Sequence, residues 1–565
     1  MAQDLKQQAE KSKFAGPVLV AAGILLSRIF GLIRERVFAH YFGQSDAGDA
    51  FKAGLKIPNF LQNLLGEGVL SASFIPVYAK LLVEKNAVVS DLPTQPPVAD
   101  LQAAEVASVI GSIVFIFTSL LVIAGVWATP FLIDLIAPGF AEEKKQLTIH
   151  IVEILFPGVG FLVLSAWCLG ILNSHGKFFL SYVAPVIWNL AMILSLVLFA
   201  KGRDLSELAL ILSYGLVVGS FLQFFVQFPV VLKVARGLRW NLNYKNIHAR
   251  QVFKSFVPVV VSRGVVQVSS YADNILASFL ASGAVSTLAY MQTLYLLPIS
   301  LFGMSISAAE LPAMSKLQSL PTEDLQRQLH QRLVQGLESI LFFIVPTVCV
   351  FVFFPQAVVS LLFRTGAFAE QQVLIVSALL SIFSLGLLVT TQSRLLSSLF
   401  YSLRLQKVPL RWALARVSVS LLMAFVFVFI LHLQGLSGNV LFLKFMSIDI
   451  FKFLFKVDEL TLWGQGLGLA LASTASAFVE YWGLKSTYQK KYGKRIELKS
   501  LNKIIVAGLG ASLLTFIYIQ LIHISIFWLQ SLLILSIFAG GYFVAGVFLK
   551  LDKALQIKNR LVRRR

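Results

Sequence analysis

Predominantly apolar stretches of about 20 residues recur from Pro17 almost to the C-terminus, separated by polar connections. That is the length an α-helix needs to cross a hydrocarbon core roughly 30 Å thick. The ten-residue alternating segments of a transmembrane barrel are absent, and open backbone cannot face lipid, so the pattern predicts helices. We place fourteen spans, at residues 17–42, 49–82, 103–136, 146–173, 178–200, 206–233, 252–281, 285–315, 338–362, 369–402, 410–433, 462–485, 503–522 and 525–549. The expected fold is an all-α integral membrane protein.

Composition sharpens that picture: 57% of the 565 residues are hydrophobic, only 13% are charged, and the mean hydropathy is +0.79. A soluble core of any size needs less. Cys168 and Cys349 both fall in apolar runs, which argues against a disulfide framework or a cysteine metal site. The polar start MAQDLKQQAEKSKF lacks the features of a removable signal peptide. The formal charge of +20 raises the question of nucleic acid, and its distribution answers it. Basic residues concentrate on alternate connections: Lys6 to Lys13, Lys233 to Lys254, Lys316 to Arg332, Arg404 to Arg411, Lys485 to Lys503, and the tail ending RLVRRR. The other connections are poor in basic residues or balance them with acids, apart from the one after span 11, which carries Lys444, Lys452 and Lys456. By the positive-inside rule both termini are cytoplasmic, and the charge is that of a membrane protein, not a nucleic-acid binder. The basic tail is expected to lie near anionic lipid.

Landmarks recur in order in the two halves. Ser27-Arg28 is answered by Ser262-Arg263, Gly43 by Gly283, Pro58 by Pro298, Pro76 by Pro312 and Lys80 by Lys316. Both units start from the same side, which makes a parallel repeat of six spans each with two spans appended. The expected organisation is an N-terminal segment 1–16, an N-lobe 17–237, a C-lobe 238–500, spans 13 and 14 within 501–550, and a basic tail 551–565.

Ionisable side chains inside spans are costly, about 2.5–3.5 kcal/mol near the bilayer centre on insertion scales, and normally face a bundle interior or a watery cavity. Arg28, in SRIFGLIRER, lies roughly 16 Å into span 1. Glu35 is two turns further on the same face, with Gly31 between, and Arg34 is rotated away by roughly 120°. Arg28 suits either an anionic substrate in a cavity or an ion pair between helices. Asp49 opens span 2 and suits either a helix cap or a gating carboxylate. Pro58 removes a backbone hydrogen bond in that span, Asn59 offers an amide beside it, and Gly66-Glu67-Gly68 loosens the helix again. Arg263 and Asp273, about 80° apart around span 7, need not pair with each other. Glu153, Glu310, Arg394 and Glu480 read as structural charges.

Catalytic signatures such as HExxH, GxxxxGK[ST] and GxSxG are missing from the sequence, so neither an enzyme nor a nucleotide-driven pump is expected. No cofactor is implied. Active transport would draw on a coupling cation, Na+ or H+, or on the membrane potential, with Glu35, Asp49, Glu67 and Asp273 as the gating or ion-coupling candidates.

The stretch SRIFGLIRERVFAHYFGQSDAGDAFKAGLKIPNFLQNLLGEGVLSASFIPVYAKL resembles the signature of the MurJ (MviN) family of lipid II flippases, in the multidrug/oligosaccharidyl-lipid/polysaccharide exporter superfamily. The likeness continues at ILNSHGKF, at SFLASGAVSTLAYMQTLYLLPISLFGMSISAAELPAMSKL and at LFYSLRLQKVP. It implies two six-helix lobes around a cationic cavity, with spans 13 and 14 forming a groove for a lipid tail. It further implies a monomer in the bacterial inner membrane that moves undecaprenyl-pyrophosphate-linked disaccharide-pentapeptide by alternating access. Partners would be lipid II, membrane lipids and the cell-wall synthesis machinery. Arg28 and Arg34 occupy the positions of the family's span-1 arginines, and Asp49, Asn59 and Glu67 match its span-2 motif. Two departures stand out: Gln62 replaces a common arginine, and Thr293 and Leu296 stand where span 8 often carries an arginine and a glutamate. Arg263 and Asp273 are the expected replacements, which adds Arg263 to the substrate-binding set of Arg28, Arg34 and Asn59. Two rivals stay open at this point, a flippase for another polyprenyl-linked glycan and a non-transporting scaffold of cell-wall synthesis.

Overall fold

The computed structural model describes residues 23–65, 70, 73–88, 98–434, 466–522 and 524–562. Its described residues are helical throughout, apart from turns and one isolated bridge between Thr365 and Phe368. The chain divides into two compact units at Ser278/Phe279.

The first unit comprises α1 (residues 23–42), α2 (Asp46–Gly54), α3 (Lys56–Leu65), α4 (Ile75–Val88), α5 (Val98–Ile136), α6 (Glu142–Ser174), α7 (Phe178–Phe199), α8 (Leu205–Val234) and α9 (Ile247–Ser278). The second comprises α10 (Ala284–Pro298), a π-helical turn (Ile299–Met304), α11 (Ser305–Lys316), α12 (Thr322–Phe353), α13 (Pro355–Phe363) and α14 (Glu370–Ser402). It continues through α15 (Lys407–Gln434), α16 (Leu467–Tyr492), α17 (Leu501–Leu521), α18 (Phe527–Phe548) and the short α19 (Asp552–Val562).

Among the described residues, ten helices are long and apolar enough to cross a membrane. The remaining four expected spans correspond to α1, to the interrupted series α2–α4, to α9 and to α16, all helical where described. They are the segments that carry Arg28, Glu35, Asp49, Lys52, Arg263, Asp273 and Glu480. The charge that lowers their hydropathy is the charge from which a site is built. Residues 435–465, with the apolar run after span 11, lie outside the described residues.

Several expected landmarks have a backbone counterpart. Gly43 and Gly283 both adopt left-handed backbone, with φ of +51° and +84°, at the turn into the next helix. An L side chain there would be strained. Pro58 coincides with the break between α2 and α3, because the residue four positions earlier, Gly54, loses its helical donor. Pro298 leads into the π-helical turn, a local widening that the repeat pattern does not predict.

Helices in lipid associate through close packing, since the tails outside are as apolar as the side chains inside. Gly125 on α5 lies against the Phe156 ring, where an added Cβ would come within 2.0 Å of a ring carbon. In the second unit Gly483 lies against Trp412 in the same way, at 2.1 Å. Outward-facing residues of α5, among them Trp127 and Phe131, are exposed, as a lipid-facing surface requires.

The expected lobe boundary fell at residue 237. In the structure α9 packs on α3, α4 and α5 of the first unit. Asn274 Nδ2 donates to the Ile136 carbonyl at 3.1 Å, and the Gly139 amide donates to Ser278 Oγ at 3.1 Å. These bonds hold the end of α9 against the end of α5.

Candidate functional site

α1 carries charge in two different environments at two levels along its length. At the first, Arg28 is exposed and, among the described residues, makes no hydrogen bond or ion pair. A Cβ added at Gly31, one turn on, would meet nothing within 4 Å. An arginine beside open space on a membrane helix is a costly arrangement for a purely structural residue.

Two turns further along the helix the charges are closed up. Glu35 accepts from Arg34 Nη2 at 2.7 Å through one oxygen and from Lys52 Nζ at 2.5 Å through the other. The Glu35 and Lys52 side chains are each 7% exposed. The Lys52 ammonium also sits over the Phe38 ring at 4.1 Å, and the Arg34 guanidinium over Trp188 of α7 at 5.0 Å. Residues of α1, α2, α7 and α8 close around this group and leave no water-sized space. A buried carboxylate is tolerable there because both oxygens are bonded to cations. The pairing of Glu35 with Lys52 was not readable from the helical face of α1, which places Glu35 with Arg28.

Asp49 is held differently from a helix cap. Ser45 is the cap of α2, its Oγ accepting from the Gly48 amide at 3.1 Å. Asp49 is instead buried in the first turn, where Lys144 of α6 donates to it at 2.7 Å. The same ammonium reaches Asp46 at 2.7 Å and lies over the Phe140 ring at 4.5 Å. In the sequence, Lys144 looked like one charge of a balanced polar connection.

Lys56, half-buried on α3, stands in the field of Asp273 of α9. Asp273 thus has a cationic neighbour within the first unit. Asn59 is half-buried on α3, its backbone N–H donating to the Leu55 carbonyl at 3.2 Å. Gln62 is half-buried on the same helix. Glu67 lies outside the described residues, as does the side chain of Arg263, whose backbone is helical in α9. Lys52, Lys56 and Lys144 are the charges sequence reasoning passed over. The only signal for the first two was their spacing of four within an apolar segment.

In the second unit, Thr293 Oγ1 bonds back to the Ala289 carbonyl at 2.9 Å and Leu296 is exposed, so neither supplies charge. Two acids read as structural are paired: Glu480 with Arg416 at 2.8 Å and Glu310 with Arg332 at 3.1 Å. Arg394 departs from that reading. It is exposed and, among the described residues, has no hydrogen-bond or ion-pair partner. Glu153 is half-buried and likewise unpartnered.

The arrangement offers Arg28, without a partner among the described residues, and beside it a closed group in which Arg34 and Lys52 outnumber the single carboxylate of Glu35. It is suited to holding an anion. Comparison with known proteins agrees with this. The family model described as "Lipid II flippase MurJ" matches residues 38–538. A probable lipid II flippase MurJ from Buchnera aphidicola subsp. Schizaphis graminum is 30% identical over 423 residues, covering 74% of this chain and 79% of the relative. One from Haemophilus influenzae is 24% identical over 533 residues, covering 92% and 96%. Among solved structures, a lipid II flippase MurJ in an inward closed conformation superposes with a TM-score of 0.70 at 23% identity, covering 94% of this chain and 99% of that one. An inward-facing multidrug resistance MATE family transporter of the MOP superfamily gives 0.60 at 14% identity, covering 84% and 98%. The chain belongs to the MurJ family of lipid II flippases, multi-pass proteins of bacterial membranes.

Proposed function

We propose that this protein moves lipid II from the inner to the outer leaflet of the bacterial cytoplasmic membrane by alternating access, supplying cell-wall synthesis. The observation that carries this reading is Arg28, an exposed cation on a membrane helix, without a partner among the described residues and next to the open space at Gly31. A pyrophosphate bears at least two negative charges and cannot cross hydrocarbon unaided, whereas its prenyl tail can stay in lipid. An arginine fork binds phosphate oxygens bidentately and stays protonated throughout the transport cycle.

In this reading Arg34 acts from its place beside Glu35 and Trp188, so that its approach to substrate requires the buried group to loosen. Asn59 adds an amide to the same lobe. Asp49 and Asp273 each face a lysine, and a coupling cation, Na+ or H+, would exchange with that ammonium during the cycle. The distribution of basic residues supports a cytoplasmic side for both termini in this reading.

The test is depletion of the protein in its bacterium, with accumulation of lipid II in the inner leaflet as the expected result. Complementation with wild type restores growth, and complementation with Arg28→Ala does not. Unchanged lipid II together with accumulation of another polyprenyl-linked glycan would replace the substrate. Full complementation by Arg28→Ala would point to a scaffold.

A further inference from the structure

α14 is the most enclosed of the ten apolar helices, with 83% of its spanning window buried inside the second unit. Arg394 and Tyr401 nevertheless emerge from it, both exposed. Seven residues apart, they differ by only about 20° around the helix and so share a face. Arg394 has no partner among the described residues. The carboxylate that shares its electrostatic surroundings, Glu480 of α16, is already bonded to Arg416 of α15 at 2.8 Å. Two arginines and one glutamate leave this group with a net charge of +1. Tyr295 of α10, between the uncharged Thr293 and Leu296, lies in the field of all three.

The level of Arg394 in its helix narrows what it can meet. It is eight residues, roughly 12 Å, from the end of α14 at Ser402. A helix of 33 residues is about 50 Å long and overhangs a hydrocarbon core of about 30 Å at its ends. Arg394 therefore falls at the border between headgroups and hydrocarbon, where lipid phosphates lie and where tyrosine hydroxyls are also favoured. A guanidinium at this level whose donors have no partner among the described residues is suited to receive a phosphate.

We propose that Arg394, assisted by the Tyr401 hydroxyl on the same face, is a phosphate-binding subsite of the second unit that receives the pyrophosphate of a polyprenyl-linked lipid at headgroup level. This rests on the transport reading above and adds to it a second-unit contact for the same anion. Arg416 is held by Glu480 and contributes its field, whereas Arg394 supplies the donors.

The test uses the purified full chain in phosphatidylcholine nanodiscs, with undecaprenyl pyrophosphate as the probe and undecaprenol and phosphatidylglycerol as controls. Arg394→Gln is expected to weaken binding of undecaprenyl pyrophosphate about tenfold, the loss of one charge-assisted contact. Tyr401→Phe, which removes only a hydroxyl, is expected to weaken it about threefold. Neither variant should change undecaprenol binding or the melting midpoint, and Arg394→Lys should recover part of the loss. Wild-type affinity in both Arg394→Gln and Tyr401→Phe overturns the subsite. So does a loss confined to phosphatidylglycerol, which would make Arg394 an anchor for bulk phospholipid. If the wild-type chain itself fails to bind undecaprenyl pyrophosphate, the transport reading fails and the subsite falls with it, a result distinct from equal binding by wild type and variant.

Discussion

The two units handle charge inside the membrane differently. Glu35, in the first, bonds two cations, is 7% exposed and sits in a group with no room for water. Glu480, in the second, bonds one arginine, and the pair keeps 14% and 24% of its side-chain surface exposed. The first unit also buries Asp49 against Lys144, which reaches out to a second carboxylate. Arg28 on α1 and Arg394 on α14 stand outside these arrangements, each without a partner among the described residues. Paired charges at different depths of burial fix helices with different firmness, and Arg28 and Arg394 are the two we propose for a ligand.

That division can be broken at graded points. The largest effect belongs to Glu35→Gln, which leaves Arg34 and Lys52 buried without their carboxylate. A cost of about 3–5 kcal/mol is expected, read as a large drop in the melting midpoint in detergent. Lys52→Met should restore part of that stability in the double variant, because it removes a buried ammonium that has lost its bond to Glu35. Asp49→Asn comes next. Lys144 keeps Asp46, which is 61% exposed, so the loss is expected at about 2 kcal/mol in the same measurement. Arg416→Met should cost about 1 kcal/mol, between an exposed ion pair and a buried one. An order in which Arg416→Met outweighs Glu35→Gln would contradict the contrast between the units.

Much of this was legible in the sequence. The apolar runs marked the helices, Pro58 marked the break before α3, and Gly43 and Gly283 marked turns that need left-handed backbone. The open surroundings of Gly31 also match its reading as a gap beside Arg28. What could not be read was the choice of partners. Lys52 is 17 residues from Glu35, and Lys144 is 95 from Asp49, separations fixed by tertiary packing and not by helical periodicity. The face of α1 grouped Glu35 with Arg28, but a carboxylate turns toward whichever cation the neighbouring helix brings within reach. Ser45 outcompeted Asp49 as the cap because it stands one residue before the first turn of α2. Arg394 reads as structural in the sequence because an arginine near a helix end normally finds a carboxylate, whereas Glu480 is bonded to Arg416.

The central claim is that Arg28 serves substrate and not structure. Its most direct test is purified Arg28→Ala reconstituted in liposomes, with lipid II transfer to the opposite leaflet and the melting midpoint measured on the same preparation. The expected result is transfer at the protein-free rate with an unchanged midpoint. Transfer at the wild-type rate, or a fall in the midpoint that accounts for the loss, would contradict it.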